Sequence, residues 1–231
     1  QLERLASNQS VRARIHPVLG WTYGTGKVSD TEYLNAQGLR GTREYAVANA
    51  NGVTRIEVFG DSNVYGNEDG DAESWPAQID SGWNAEVLNF GAGGYGTDQA
   101  FLRFKEEGIR FAPQIVIIGF TSMMATRVVS RYRRFQDPND GPWFKPRFLL
   151  DDGKLRLLPA PVASREDADA WLARLEAVPA FYQQNVANLK RGIKTRYTQP
   201  RIVVDRVLET ARKQVEVKPE DSSLLLPSAR M

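Results

Sequence analysis

Three short apolar runs, each closed by a loop of small residues and separated by helix-like text, restrict this chain more than any other feature. The first, Ile56-Glu57-Val58-Phe59, stops at Gly60-Asp61-Ser62. The second, Glu86-Val87-Leu88-Asn89-Phe90, is closed by Gly91-Ala92-Gly93-Gly94-Tyr95-Gly96. The third, Gln114-Ile115-Val116-Ile117-Ile118-Gly119-Phe120, is almost continuously apolar, the pattern of a parallel strand buried on both faces. Between them a helix is predicted over about 74–79, with Ser74 as N-cap and Pro76 tolerated in the first turn. Another is predicted from a cap at Thr97 to about Gly108, with Ala100, Phe101 and Phe104 as its apolar face. Strand, helix, strand, helix, strand implies a parallel sheet with right-handed crossovers, hence the α/β class.

A chain of 231 residues, 42% of them hydrophobic, can bury one sizeable core plus an appended lobe, so a single main domain is expected. Residues 1–54 read as an N-terminal arm and irregular cover, where Gly20, Gly24, Gly26, Gly38 and Gly41 punctuate turns and a short hairpin. Residues 55–231 read as the α/β domain, with an insertion at about 131–162. Within the insertion, Asp152-Gly153 between the apolar runs starting at Phe148 and ending at Leu158 is a strong hairpin signal. Helical text resumes at Ser164 to Leu175 and at about Val203 to Gln214, and Leu224-Leu225-Leu226 reads as a fourth core strand.

Thirty Lys and Arg against 28 Asp and Glu leave a formal charge of +2, which gives no electrostatic drive toward nucleic acid or an anionic membrane. The absence of cysteine removes disulfides, thiolate metal sites and a cysteine nucleophile. No His/Cys cluster or ligand-like Asp/Glu spacing is present, so no metal or other cofactor is expected. No run approaches the roughly 20 apolar residues of a membrane helix, so no membrane span is expected. The chain opens at Gln1 rather than Met, which leaves room for an upstream targeting segment and export to the periplasm. Compartment and oligomeric state are otherwise not legible.

In an open α/β sheet, ligands gather at the carboxyl ends of the strands. Ser62 stands there, after a glycine that permits a sharp turn, and its backbone N–H could also serve an oxyanion. The Gly91–Gly96 loop offers further N–H groups with little side-chain bulk. These blocks, VFGDSNVYG, VLNFGAGGYGTDQ and IVIIGFTSMM, in this order and each after a strand, resemble the first three blocks of the bacterial SGNH, or GDSL-like, serine hydrolases. The similarity covers roughly Asn35 to Phe148, including Asn35-Ala36-Gln37-Gly38-Leu39-Arg40-Gly41 ahead of the serine block.

The resemblance implies a three-layer, flavodoxin-like sheet of mostly parallel strands with a hairpin insertion. It also implies ester hydrolysis through an acyl-enzyme on Ser62, acting on small-molecule, glycan or lipid esters. Ser62 and Gly94 would donate oxyanion N–H groups, and Asp61 would support the loop. The family's third donor, an asparagine side chain, falls on Met123, or on Met124 with a one-residue shift. Its general base, in a late Asp-x-x-His block, has no counterpart, because the single histidine, His16, precedes the core. Truncation or an incomplete chain is the simpler expectation for that gap.

Other readings stand beside these. Ser62 could merely cap a helix, and the glycines could serve tight strand-to-helix packing. Met123 and Met124 read as core or pocket-lining residues, and His16 as a loop histidine making a structural hydrogen bond. The basic stretch Arg127, Arg131, Arg133, Arg134, Lys145 and Arg147 could recognise an anionic substrate, or be a solvated or acid-paired face. Trp143, Phe144 and Phe148 could stack on a sugar or form a satellite core. Function divides likewise between an ester hydrolase and an impaired binding or assembly module. Gly91, Gly93 and Gly96 also satisfy a dinucleotide fingerprint, but no acidic residue ends the following strand.

Overall fold

The structure, a computed structural model, describes residues 11, 13–49, 52–133, 140–141 and 143–176. The helix expected over 203–214 and the strand at 224–226 lie outside the described residues. Two small antiparallel ribbons form the cover: β1 (Arg14–His16) with β2 (Gly20–Thr22), and β3 (Gly26–Lys27) with β4 (Tyr33–Leu34). The central sheet holds β5 (Thr54–Phe59), β6 (Ala85–Asn89) and β7 (Ile115–Ile118), parallel throughout in the order β6-β5-β7.

Alternation along β5 assigns its two faces. Ile56 and Val58 join Val87, Trp75 and Ile79 beneath the helix Trp75–Gly82, α2. Phe59 lies on the opposite face with Leu88, Phe90 and Ala100, under the helix Thr97–Arg103, α3. The Phe59 and Phe90 rings stack there at 4.7 Å. Helix α3 continues into a π turn, Phe104–Gly108, and a 3-10 turn, Ile109–Phe111. A Cβ on Gly108 would come within 2.5 Å of a Glu57 oxygen and 2.6 Å of the Phe59 ring, so the turn passes over β5 only because that residue is glycine.

Ser74 precedes α2 and Pro76 occupies its first turn, as the sequence implies, though the Ser74 hydroxyl donates to Asp71 O rather than capping the helix. Two expectations need correction. Gly96, not Thr97, caps α3, with its N–H donating to Gln99 Oε1; Phe101 is 39% exposed while Leu102 is buried in its place. Strand β7 is not buried on both faces either: Ile115, Val116 and Ile118 are 38–43% exposed, because among the described residues β7 pairs only with β5 and is the sheet edge.

Downstream, α4 spans Ser122–Arg127, β8 Arg147–Asp151, β9 Lys154–Leu158 and α5 Arg165–Glu176. Strands β8 and β9 form the expected hairpin, Asp151 opposite Lys154. Asp152 (φ 47°) and Gly153 (φ 75°) both take left-handed backbone, as a two-residue primed turn demands. No helix among the described residues is long and apolar enough to cross a membrane.

Candidate active site

Ser62 opens the one-turn helix Ser62–Tyr65, α1, directly at the carboxyl end of β5. Three glycines, one after each sheet strand, let α1 settle onto the strand tips. A Cβ on Gly60 or on Gly119 would lie 2.3 Å from the Val64 side chain, and one on Gly91 would lie 2.4 Å from Tyr65 N. The far end of α1 is braced from the cover. Arg40 donates to the carbonyls of Tyr65, Gly66 and Asp69, pairs with Asp71 at 3.0 Å, and stacks over the Tyr65 ring at 4.7 Å. The Asn35–Gly41 segment thereby gains a structural role that its sequence did not reveal.

Asp61 caps α1 and is buried. Its Oδ1 accepts from Asn63 N at 3.0 Å and Asn63 Nδ2 at 3.1 Å, and its Oδ2 accepts from Thr121 Oγ1 at 3.2 Å and Arg127 Nη1 at 2.7 Å. Burial pushes its acid strength down, but the Asn63 hydrogen bonds and Arg127 outweigh that, and the carboxyl sits below its ordinary pKa. It remains an ionised anchor of the serine loop.

Arg127 Nη1 also donates to Tyr95 O at 3.0 Å. One guanidinium nitrogen therefore joins the residue before Ser62 to the residue after Gly94. The loop itself is held from the other side: Gly93 N–H donates to Tyr23 Oη at 2.7 Å, and Gly93 O accepts from Trp21 Nε1 at 3.3 Å. Gly94 has φ 79°, a value that favours glycine, and its N–H and that of Ser62 bond no described residue. The Ser62 hydroxyl is likewise unbonded among the described residues and only partly buried.

The remaining candidates are placed differently. Met124 is wholly buried in the core with Phe59 and Phe90, whereas Met123 is 40% exposed. His16 Nδ1 accepts from Val18 N and Leu19 N, and its Nε2 lies 3.9 Å from Glu107, so it caps a turn in the cover. Burial lowers its pKa. Phe144 is buried against Tyr132 at 4.8 Å, whereas Trp143 and Phe148 pack on a different cluster, that of Leu19, Trp21 and Tyr95. Lys145 is buried with Asp98 at 2.5 Å, and Arg147 and Arg131 donate to the carbonyls of Val129 and Pro159. Arg134 lies outside the described residues. The space that a dinucleotide would need above the glycines is filled by the chain: Tyr65 backbone at Gly91, Tyr23 at Gly93, Asp98 and Arg127 at Gly96.

Sequence reasoning singled out Arg127 as a charge but missed its partners, which lie 32 and 66 positions away and leave no local signal. Tyr23 and Thr121 were missed for the same reason.

A family model described as a bacterial protein of unknown function (DUF885) matches residues 147–231, from β8 onward. Among solved structures, a mutant of the esterase AlinE4 is 26% identical over 34% of this chain and 46% of its own, with a TM-score of 0.27. The chain thus spans less than half the length of that esterase. No curated protein matches the chain.

Proposed function

We propose that the chain is an SGNH-type serine hydrolase, in which residues 55–231 form the hydrolase domain under a cover made by 1–54. Ser62 Oγ would attack the carbonyl carbon of an ester, with the alcohol departing and an acyl-enzyme forming. The N–H groups of Ser62 and Gly94 would receive the developing oxyanion, each such donor contributing about 2.7–4 kcal/mol of transition-state stabilisation. The observation that carries this reading is the Arg127 Nη1 bridge, which ties the Ser62 loop to the Gly94 loop while both N–H groups keep no acceptor among the described residues.

None of the described residues supplies a base to Ser62, since His16 is committed in the cover. Turnover of a short-chain aryl ester by the 231-residue chain is therefore expected to be slow, and to rise with added imidazole. Labelling by a serine-directed fluorophosphonate is expected in wild type and absent in Ser62→Ala, with aryl ester hydrolysis lowered at least about tenfold. Equal labelling and equal rates in the two proteins would sink the proposal.

A second reading, a binding or assembly module that keeps the cleft without turnover, is favoured by one observation: Met124 is locked in the core and Met123 carries no hydrogen-bond donor. Met123→Asn separates the two readings. A rise in turnover of about tenfold, within the range of one oxyanion donor, excludes a purely binding role.

A further inference from the structure

The peptide that joins Gly93 to Gly94 is gripped at one end and open at the other. A trans peptide is planar, so its carbonyl and its N–H point in opposite directions and cannot be turned separately. Here the N–H end belongs to Gly94, the proposed oxyanion donor, and the carbonyl end, Gly93 O, accepts from Trp21 Nε1 at 3.3 Å. The preceding peptide is held too, because the Gly93 N–H donates to Tyr23 Oη at 2.7 Å. Both peptide planes that meet at Gly93 are thus bonded to one segment of the cover, which fixes the φ and ψ that glycine by itself leaves wide open.

Trp21 and Tyr23 are two positions apart, the spacing that puts side chains on one face of an extended segment. That segment is itself tied down: Tyr95 Oη donates to Trp21 O at 2.5 Å, and Gln99 Nε2 of α3 donates to Leu19 O at 2.8 Å. Trp21 is 3% exposed and meets the Tyr95 ring edge-on at 5.5 Å. The Tyr23 ring packs on Tyr65 of α1 with centroids 4.8 Å apart, so one side chain touches both the helix that Ser62 opens and the loop that carries Gly94. A hydrogen bond at a carbonyl also polarises its peptide, which strengthens donation from the N–H at the other end. With its own N–H spent on Tyr23, Gly93 does not compete with Gly94 for an oxyanion. We propose that Trp21 and Tyr23 are positioning residues, through which the N-terminal cover aims and polarises the Gly94 N–H. The catalytic consequence rests on the hydrolase reading; the clamp on Gly93 does not.

Two measurements on the full chain test the clamp and its catalytic consequence separately. Backbone nitrogen relaxation reads the loop directly: Gly93 and Gly94 are expected to show order parameters of about 0.85 in wild type, falling toward about 0.6 in Tyr23→Phe and in Trp21→Phe. The second compares hydrolysis of an aryl ester with that of the matching thionoester, whose sulfur accepts hydrogen bonds poorly, with added imidazole and with the Ser62→Ala rate subtracted from each. Both variants are expected to lower kcat for the ester about three- to tenfold with KM little changed, and to lower the oxygen-over-sulfur preference by the same factor. A merely structural role would scale both substrates alike through the folded fraction and leave that ratio unmoved. If Trp21→Phe loses its cooperative melt, Tyr23→Phe decides alone. Order parameters of wild-type size in Tyr23→Phe overturn the clamp, and an unchanged oxygen-over-sulfur ratio overturns its catalytic role. Loosening of the loop in a chain whose wild type takes no fluorophosphonate label would support the clamp and remove the hydrolase reading, and labelling with an unchanged ratio would do the reverse.

Discussion

Raising the pH from about 6 to about 9.5 is expected to strip the folded chain of stability on the order of 3 kcal/mol, and Glu57→Gln to abolish most of that loss. Glu57 sits in the middle of β5 with no exposed surface, and neither carboxyl oxygen has a hydrogen-bond partner among the described residues. Arg55, two residues away, has its guanidinium committed to Glu86 and to the carbonyls of Val47 and Phe111. Gly108 of the π turn closes over the carboxyl group from above.

Burial raises the Glu57 pKa from 4.5 to about 8, with Arg55 only partly countering it. Below the unfolded value both states hold the proton and nothing is lost. As pH climbs from there toward 8, the unfolded chain releases a proton that the folded chain keeps, so stability falls. Above 8 the loss is complete. His16, whose pKa is lowered, acts in the opposite sense and only on the acid side of 6.5. Urea midpoints across this range check the expectation. Glu57→Gln, isosteric with the protonated acid, should give a nearly flat profile, and Glu57→Met should exceed wild type at the alkaline end. A wild-type profile that is flat to pH 9.5 would contradict it.

Gly91→Ala is expected to destabilise the chain by about 3 kcal/mol or more, and to displace Ser62 with it. The new methyl would meet Tyr65 N at 2.4 Å, Tyr65 Cα at 2.7 Å and the Val64 carbonyl carbon at 2.8 Å, all backbone atoms with no rotamer to yield. Relief requires α1 to lift from the strand tips, which would stretch the Asp61 anchor and the Arg127 bridge. Gly82→Ala is the matched control. It lies in the last turn of α2 with nothing within 4 Å, and there the same methyl should be neutral or stabilise by up to about 1 kcal/mol. Thermal melts of the two variants read out the contrast, and equal melting temperatures would refute the packing argument.

The three glycines after the strands were visible as turn and loop signals, but their purpose was not. Gly-x-Gly-x-x-Gly fits a phosphate cradle as well as a helix seat. Only the position of α1 shows that Gly91 makes room for protein rather than ligand. Asp61 was readable as a loop anchor because its Asn63 bonds are local, whereas Thr121 and Arg127 come from beyond the third strand. Strand β7 misled in the other direction. Its apolar run signals a strand without saying how many neighbours that strand has, and burial depends on the neighbours.

Periodicity and turn chemistry, then, determined the α/β order, the parallel pairing of the three runs, the β8–β9 hairpin and the place of Ser62 at a strand end. Each of these depends on residues close in sequence, through the period of two, the helical period and the φ > 0 requirement of Asp152-Gly153. The tertiary structure alone decided which Gly91–Gly96 N–H stays open, which arginine locks the two loops together, and that Glu57 is sealed without a hydrogen-bond partner among the described residues. Those are properties of side chains brought together from distant segments, and hydrogen-bond geometry and desolvation act on distance in space rather than on distance along the chain.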